Sequence, residues 1–282
     1  MNLKKRKRAD RVFYILLILS VIFTLTLLVL LFSDTFTKGI SYINVDFFNN
    51  FSSRFPNKSG IRAALFGSLY TVILSVIIAA ILGIGTAIYL EEYAPKNKFT
   101  DILKVNISNL AGIPSVIYGI LGLALFVRYL DLGRTIISGA LTLALLILPT
   151  IIVASQEALK TVPKEMKEGS YALGATKWQT IKKIILPYSF PGILTGMILA
   201  VSRAFGESAP LVVIGGAASI WFQPKSIFDE FTTLPLQIFN WAARPQAEFQ
   251  NIAAAGIIVL IVLLVIINLA AILVRNKYQD RM

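Results

Sequence analysis

Inside the apolar run 194–216, LTGMILAVSRAFGESAPLVVIGG, Arg203 and Glu207 stand four residues apart, with Ser202 and Ser208 beside them. Helical spacing would put both charges on one face, one turn apart. A span starting near Pro191 carries Arg203 about 18 Å inward, at ~1.5 Å per residue. An ionisable group at that depth costs at least about 2.5–3.5 kcal/mol on insertion scales, so it must face the bundle interior or a cavity. Two roles fit this chemistry. The pair could neutralise itself and only lower the insertion cost. Alternatively, Arg203 offers a fork of donors to a tetrahedral oxyanion, while Glu207 holds the guanidinium and keeps the site from trapping the anion. Gly206 and Pro210 weaken the helix nearby. Pro114, Ser115 and Tyr118 in a second apolar segment could line the same path, although a kink, a packing hydroxyl and a buried tyrosine explain them more simply.

Little else in the chain offers reactive chemistry. There is no histidine and no cysteine in 282 residues. That removes the commonest general base, the commonest metal ligand, thiolate nucleophiles and disulfides. Carboxylates do not cluster, and no Gly-x-x-x-x-Gly-Lys-Ser/Thr cradle for phosphates occurs. No catalytic residue, metal or cofactor is therefore expected in this chain.

The elements that must position these residues are membrane helices. The chain is 56% apolar and only 15% charged, with a mean hydropathy of +0.73. That is the composition of a polytopic membrane protein. Six segments hold the roughly 20 apolar residues a bilayer requires: 12–32, 62–90, 107–127, 135–154, 191–216 and 252–274. Pro114 and Pro149 fall inside the third and fourth. The first follows the basic run KKRKR, but its apolar stretch is too long for a signal peptide and no small-x-small cleavage site follows, so it reads as an uncleaved anchor. With the N-terminus inside, 18 Lys and Arg residues fall in cytoplasmic segments and 8 in outer ones. Both termini are therefore expected in the cytoplasm. The net charge of +12 is then a topology signal and implies no nucleic-acid partner.

This orientation places residues 155–190 in the cytoplasm. Pro163 and Glu165 suit a helix start. Met166, Ser170 and Leu173 would share one face, and Gly174 can end the helix with positive φ. Thr176 and Gln179 form a capping box for a second helix. Trp178, Ile181, Ile184 and Ile185 recur on one face of it, Lys177, Lys182 and Lys183 lie elsewhere on its surface, and Pro187 is expected to stop it. The apolar stripe either rests on the protein's own helix ends or lipid headgroups, or plugs into a cytoplasmic partner.

The spacing of this stretch resembles the signature of permease subunits in bacterial ATP-binding-cassette importers. That signature runs Glu-Ala-Ala, three residues, Gly, nine residues, Ile-x-Leu-Pro. Here Glu168, Gly174, Ile184, Leu186 and Pro187 match it, while Gly169 and Ser170 replace the two alanines. The resemblance implies an all-α bundle of six transmembrane helices with the type I importer permease (MetI-like) fold. It also implies a loop that docks on an ATPase subunit, carried here by Glu168, Gly174, Ala175, Trp178, Ile184, Leu186 and Pro187. LAGIPSVIYGILGL (110–123) and residues 194–216 are similar to phosphate importer permeases in particular. The ending LPLQIFNWAARPQAEFQNIAAAG (234–256) is closer to their PstA-type subunit than to the PstC type.

The organisation this implies is a basic tail, first helix and outer loop over 1–61, an importer transmembrane domain over 62–275, and a short tail over 276–282. The implied partners are a PstC-type second permease, PstB-type ATPase subunits that hold ATP and magnesium, a PstS-type phosphate-binding protein, and membrane lipid. The implied location is the bacterial cytoplasmic membrane. A sulfate or molybdate permease makes similar demands on the site. An ion-coupled secondary transporter would favour internal repeats and several intramembrane acids, and no convincing repeat occurs. A membrane enzyme lacks a catalytic constellation.

Overall fold

A computed structural model describes residues 3–216 and 219–279. Their architecture is a bundle of α-helices, with one isolated antiparallel bridge, Thr135 to Glu230, as the only extended pairing among the described residues. Five helices are long and apolar enough to cross a bilayer. These are α1 (Leu3–Gly39), α3 (Arg62–Ile88, prolonged by a π-helical turn at Tyr89–Tyr93), α6 (Ile136–Lys160), the run from Lys177 to Gly206, and α12 (Ala247–Gln279). α4 (Lys98–Leu110) and α5 (Ser115–Gly122, prolonged as a π-helical stretch to Tyr129) form a pair bent by 100°, which makes the sixth crossing if taken together.

That bend corrects the expectation of one straight span over 107–127. A proline ring clashes with the carbonyl four residues earlier, and the residue before a proline avoids the helical region. Pro114 accordingly ends α4 at Leu110, four residues back, and serves as the N-cap of α5 rather than lying inside a helix. Before the bend, α4 is amphipathic, with Phe99, Ile102 and Val105 exposed beside Lys98 and Asp101. Pro149 behaves as expected: it lies buried within an unbroken α6.

α6 is the centre of the bundle. About two-thirds of its most apolar window is buried, against none for α1 and 6% for α12. Lipid tails give helices no hydrophobic reason to associate, so close packing of small residues does that work. Gly192 and Gly196, one turn apart on α9 (Leu186–Gly206), meet Ala158 and Ala154 of α6; an added Cβ would stand 2.7 and 2.3 Å from the alanine methyls. α3 lies on the other flank and contributes Val72 and Ala79 to a core with Leu143, Leu146, Ile147 and Ile151. A second cluster gathers Phe47 from α2 (Val45–Asn49), Trp241 from α11 (Leu234–Ala242), and Phe249 and Ile252 from α12. It closes the end of the bundle opposite the 155–190 segment.

Candidate functional site

Two regions carry the polar residues singled out by the sequence, and each is built on a proline. The first is the end of α9. The expected span 191–216 is not one helix: α9 stops at Gly206, and a five-residue helix, α10 (Ala209–Val213), follows. Pro210 explains the stop, since its ring would collide with the Gly206 carbonyl in a continuous helix. Glu207 is extended (φ −81°, ψ 126°), so Arg203 and Glu207 do not share a helix face. Arg203 instead occupies the last turn of α9, where a cation is favoured by the helix dipole, and Glu207 folds back toward it.

Arg203 Nε lies 3.5 Å from Glu207 Oε1, and the two side chains are 32% and 19% exposed. None of the guanidinium's N–H donors makes a hydrogen bond among the described residues. The carboxylate thus offsets the charge without occupying the donor fork, which remains available for an anion. A Cβ placed on Gly206 would meet nothing within 4 Å, so there is room beside the break.

α5 closes the other side. Gly119 lies against Pro210, where a Cβ would come within 2.8 Å of the proline Cα. One residue earlier, Tyr118 is buried, and its hydroxyl donates to the Leu110 carbonyl at 2.8 Å. That carbonyl loses its i+4 donor to Pro114, and the phenol makes good part of the loss. Tyr118 therefore holds the α4–α5 bend. Ser115 and Ser208 are half-buried, and neither hydroxyl makes a hydrogen bond among the described residues. Ser202 turns away: its hydroxyl is 2.9 Å from the Ile198 carbonyl and 2.8 Å from Asn268 Oδ1 on α12, a helix-packing contact.

The second region is the 155–190 segment. α7 (Lys164–Ala172) ends on Gly174 at φ +80°, with Ala175 N–H donating to the Ser170 carbonyl at 3.2 Å. The capping box is present: Thr176 accepts from Gln179 N–H, and Gln179 Oε1 accepts from Thr176 N–H, opening α8 (Lys177–Thr180). Pro187 does not stop this helix. A π-helical turn at Ile181–Ile185, in which Leu186 N–H reaches Ile181 O, widens the ladder just before the proline, and the helix runs on into α9. Such a turn absorbs a residue that cannot donate.

The expected apolar stripe divides. Ile181 and Ile185 are fully buried against Ala87, Leu159 and Val162, the helix ends of α3 and α6. Ile184 is half-buried and Leu186 packs at the edge of the same cluster. Trp178 is 57% exposed and Leu173 is 90% exposed. Ser170 faces inward to the Thr180 hydroxyl at 2.9 Å, while Met166 points out, so Met166, Ser170 and Leu173 do not share a face. Glu168 is exposed.

Sequence reasoning passed over three consecutive residues at the end of α3. Glu91 Oε1 accepts from Lys104 Nζ of α4 at 2.7 Å and from Gln156 Nε2 of α6 at 3.1 Å. Glu92 Oε1 accepts from Lys167 Nζ of α7 at 2.6 Å. Lys177 Nζ of α8 lies 4.8 Å from the centroid of the Tyr93 ring. The available signal was a pair of acids closing an apolar helix in a chain whose 155–190 segment is rich in lysine.

Known proteins resemble the chain along most of its length. Residues 82–279 match the family model described as binding-protein-dependent transport system inner membrane component. The chain is 36% identical over 261 residues to the probable ABC transporter permease protein YqgI of Bacillus subtilis, covering 87% of each chain. It is 31% identical over 268 residues to the phosphate transport system permease protein PstA of Yersinia pestis, covering 94% of this chain and 90% of that one. Its fold is that of a chain in the crystal structure of a bacterial ABC transporter involved in the import of the acidic polysaccharide alginate, with a TM-score of 0.67, 17% identity and 98% of each chain covered.

Proposed function

The chain belongs to the family of binding-protein-dependent transport system inner membrane components, and on that premise we propose that it is the permease subunit of an ATP-driven importer that carries inorganic phosphate across the bacterial cytoplasmic membrane. It is a transport subunit, not an enzyme. One observation carries the substrate reading: a half-buried guanidinium whose donors make no hydrogen bond among the described residues stands at a helix break, in a chain 31% identical over 94% of its length to a phosphate transport permease. Phosphate entering a low-dielectric region loses hydration, and charge-assisted hydrogen bonds from Arg203 replace part of that shell. Glu207 limits the residence time by offsetting the charge. Ser115, Ser208 and Tyr118 are assigned, as half-buried or buried polar groups near the two helix breaks, to the same path; Ser202 belongs to the α9–α12 contact.

The lysine and arginine distribution supports both termini in the cytoplasm, with the 155–190 segment on that side. There the exposed Trp178, Leu173 and Met166 offer an apolar knob for a PstB-type ATPase subunit, which supplies ATP and magnesium chemistry from outside this chain. Gly174 sets the angle between the two helices that carry the knob. A PstC-type second permease and a PstS-type phosphate-binding protein complete the assembly. The test is uptake into proteoliposomes holding the whole complex, with binding protein on the outer face and ATP on the ATPase side. Labelled phosphate enters, and excess sulfate or molybdate does not compete. Entry of sulfate in preference to phosphate, or uptake on an ion gradient without ATP, overturns the reading.

A further inference from the structure

The turn Glu91–Glu92–Tyr93 touches four helices, α4, α6, α7 and α8. Its hydrogen bonding is of the π type, with Ala94 N–H reaching Tyr89 O, and its three adjacent side chains reach four helices. Glu91 binds α4 through Lys104 and α6 through Gln156; Glu92 binds α7 through Lys167; Tyr93 carries Lys177 of α8 on its face. The two helices on either side of Gly174 are thus tied separately to one turn of α3. Glu92 is only 8% exposed and Glu91 13%, so these are not solvated surface pairs of negligible strength. A carboxylate that loses its partner in such a place is costly, which makes the ties stiff rather than optional.

We propose that Glu92 and Lys167, with Glu91 and Tyr93 beside them, form the positioning clamp that passes movement of the coupling element to α3 and so to the bundle core. This rests on the reading of residues 155–190 as the ATPase-docking segment. The apolar contact of Ile181 and Ile185 beneath the segment gives attachment, but it is nondirectional and allows sliding. The ion pair at 2.6 Å fixes register between α7 and α3, which is the property a lever needs. α3 packs along the length of α6 and reaches α9, whose last turn carries Arg203, so a shift of α3 is felt at the helix break.

The experiment uses the complete complex in proteoliposomes and reads three quantities: ATPase subunit retained, ATP hydrolysed, and phosphate delivered per ATP. The variants are Glu92→Gln, Glu92→Lys, Lys167→Glu and the charge-exchanged double variant Glu92→Lys, Lys167→Glu. The single variants are expected to retain the ATPase subunit and hydrolyse ATP, with phosphate per ATP falling by about fivefold or more, the lower range of a coupling free energy between sites. The exchanged pair restores the ratio. An unchanged ratio in Glu92→Lys overturns the clamp. So does loss of the ATPase subunit in single and double variants alike, which would mark the pair as a folding contact only, and so does failure of the exchange to restore coupling. A wild-type complex that carries sulfate instead of phosphate overturns the substrate reading alone, since the ratio is then read with sulfate.

Discussion

Gly119 and Pro210 meet backbone to backbone: a Cβ on Gly119 would stand 2.8 Å from the Pro210 Cα and 2.9 Å from its carbonyl oxygen. This contact joins α5, which follows the Pro114 bend, to α10, which follows the Gly206 break. The two interrupted segments thereby support each other beside Arg203. Backbone atoms cannot move aside as a flexible side chain would.

The same substitution is therefore expected to have opposite signs at two glycines. Gly119→Ala should destabilise the chain by about 1–3 kcal/mol, because α5 and α10 are forced apart. Gly169→Ala lies within α7 with nothing inside 4 Å of the added Cβ. It should stabilise that helix by roughly 0.5–1 kcal/mol, the ordinary gain of alanine over glycine. Thermal melting of the purified, detergent-solubilised complex measures both; equal shifts at the two positions would contradict the packing described.

Gly174 is constrained differently. Space around it is open, so its φ of +80° is the only obstacle to a side chain. A β-branched residue is a genuine outlier there, and Gly174→Val should splay α7 from α8, lowering ATPase retention and phosphate uptake together while the protein still inserts. Gly174→Asn should retain most of both, since asparagine visits this region. Pull-down of the ATPase subunit and uptake in proteoliposomes give the two readouts.

Topology is open to a direct check because the chain has no cysteine of its own. Cysteine at Lys177 is expected to react with impermeant maleimide only from the cytoplasmic side, and cysteine at Lys225 only from outside. Reversal at either position breaks the arrangement with both termini inside.

Local signals in the sequence translated well and distant ones did not. The Thr176–Gln179 box and the turn at Gly174 are visible in sequence because donor and acceptor lie within four residues. The ends of α4 and α9 were legible in principle, since Leu110 and Gly206 each stand four residues before a proline. Hydropathy hid them, because a window averages across a break whose residues stay apolar. The role of Ser202 depends on Asn268, 66 residues away, and that of Glu92 on Lys167, 75 residues away. No periodicity reports such a pair. The apolar spacing of Trp178, Ile181, Ile184 and Ile185 was legible, but the stripe divides between buried and exposed members, and which are covered depends on where α3 and α6 end.

Arg203 is the residue on which the substrate reading stands. Its guanidinium is offset by Glu207 at 3.5 Å but makes no hydrogen bond among the described residues. Arg203→Gln keeps length and polarity and removes the charge. Charge-assisted hydrogen bonds are worth about 1.5–3 kcal/mol, so phosphate uptake should fall by about 10–100-fold, with assembly and ATPase retention near normal. The single variant alone is ambiguous, because it also strands Glu207 without its counter-charge. The double variant Arg203→Gln, Glu207→Gln resolves this. If Arg203 serves only to neutralise Glu207, removing both charges restores uptake. If the guanidinium contacts the anion, uptake stays low in the double variant, because no donor of equal strength has replaced it. Glu207→Gln by itself separates the parts further: it leaves the arginine without its counter-charge, so phosphate should be held more tightly and released more slowly. The expected signature is a lower half-saturating phosphate concentration with a reduced maximal rate. Recovery of uptake in the double variant would sink the anion contact.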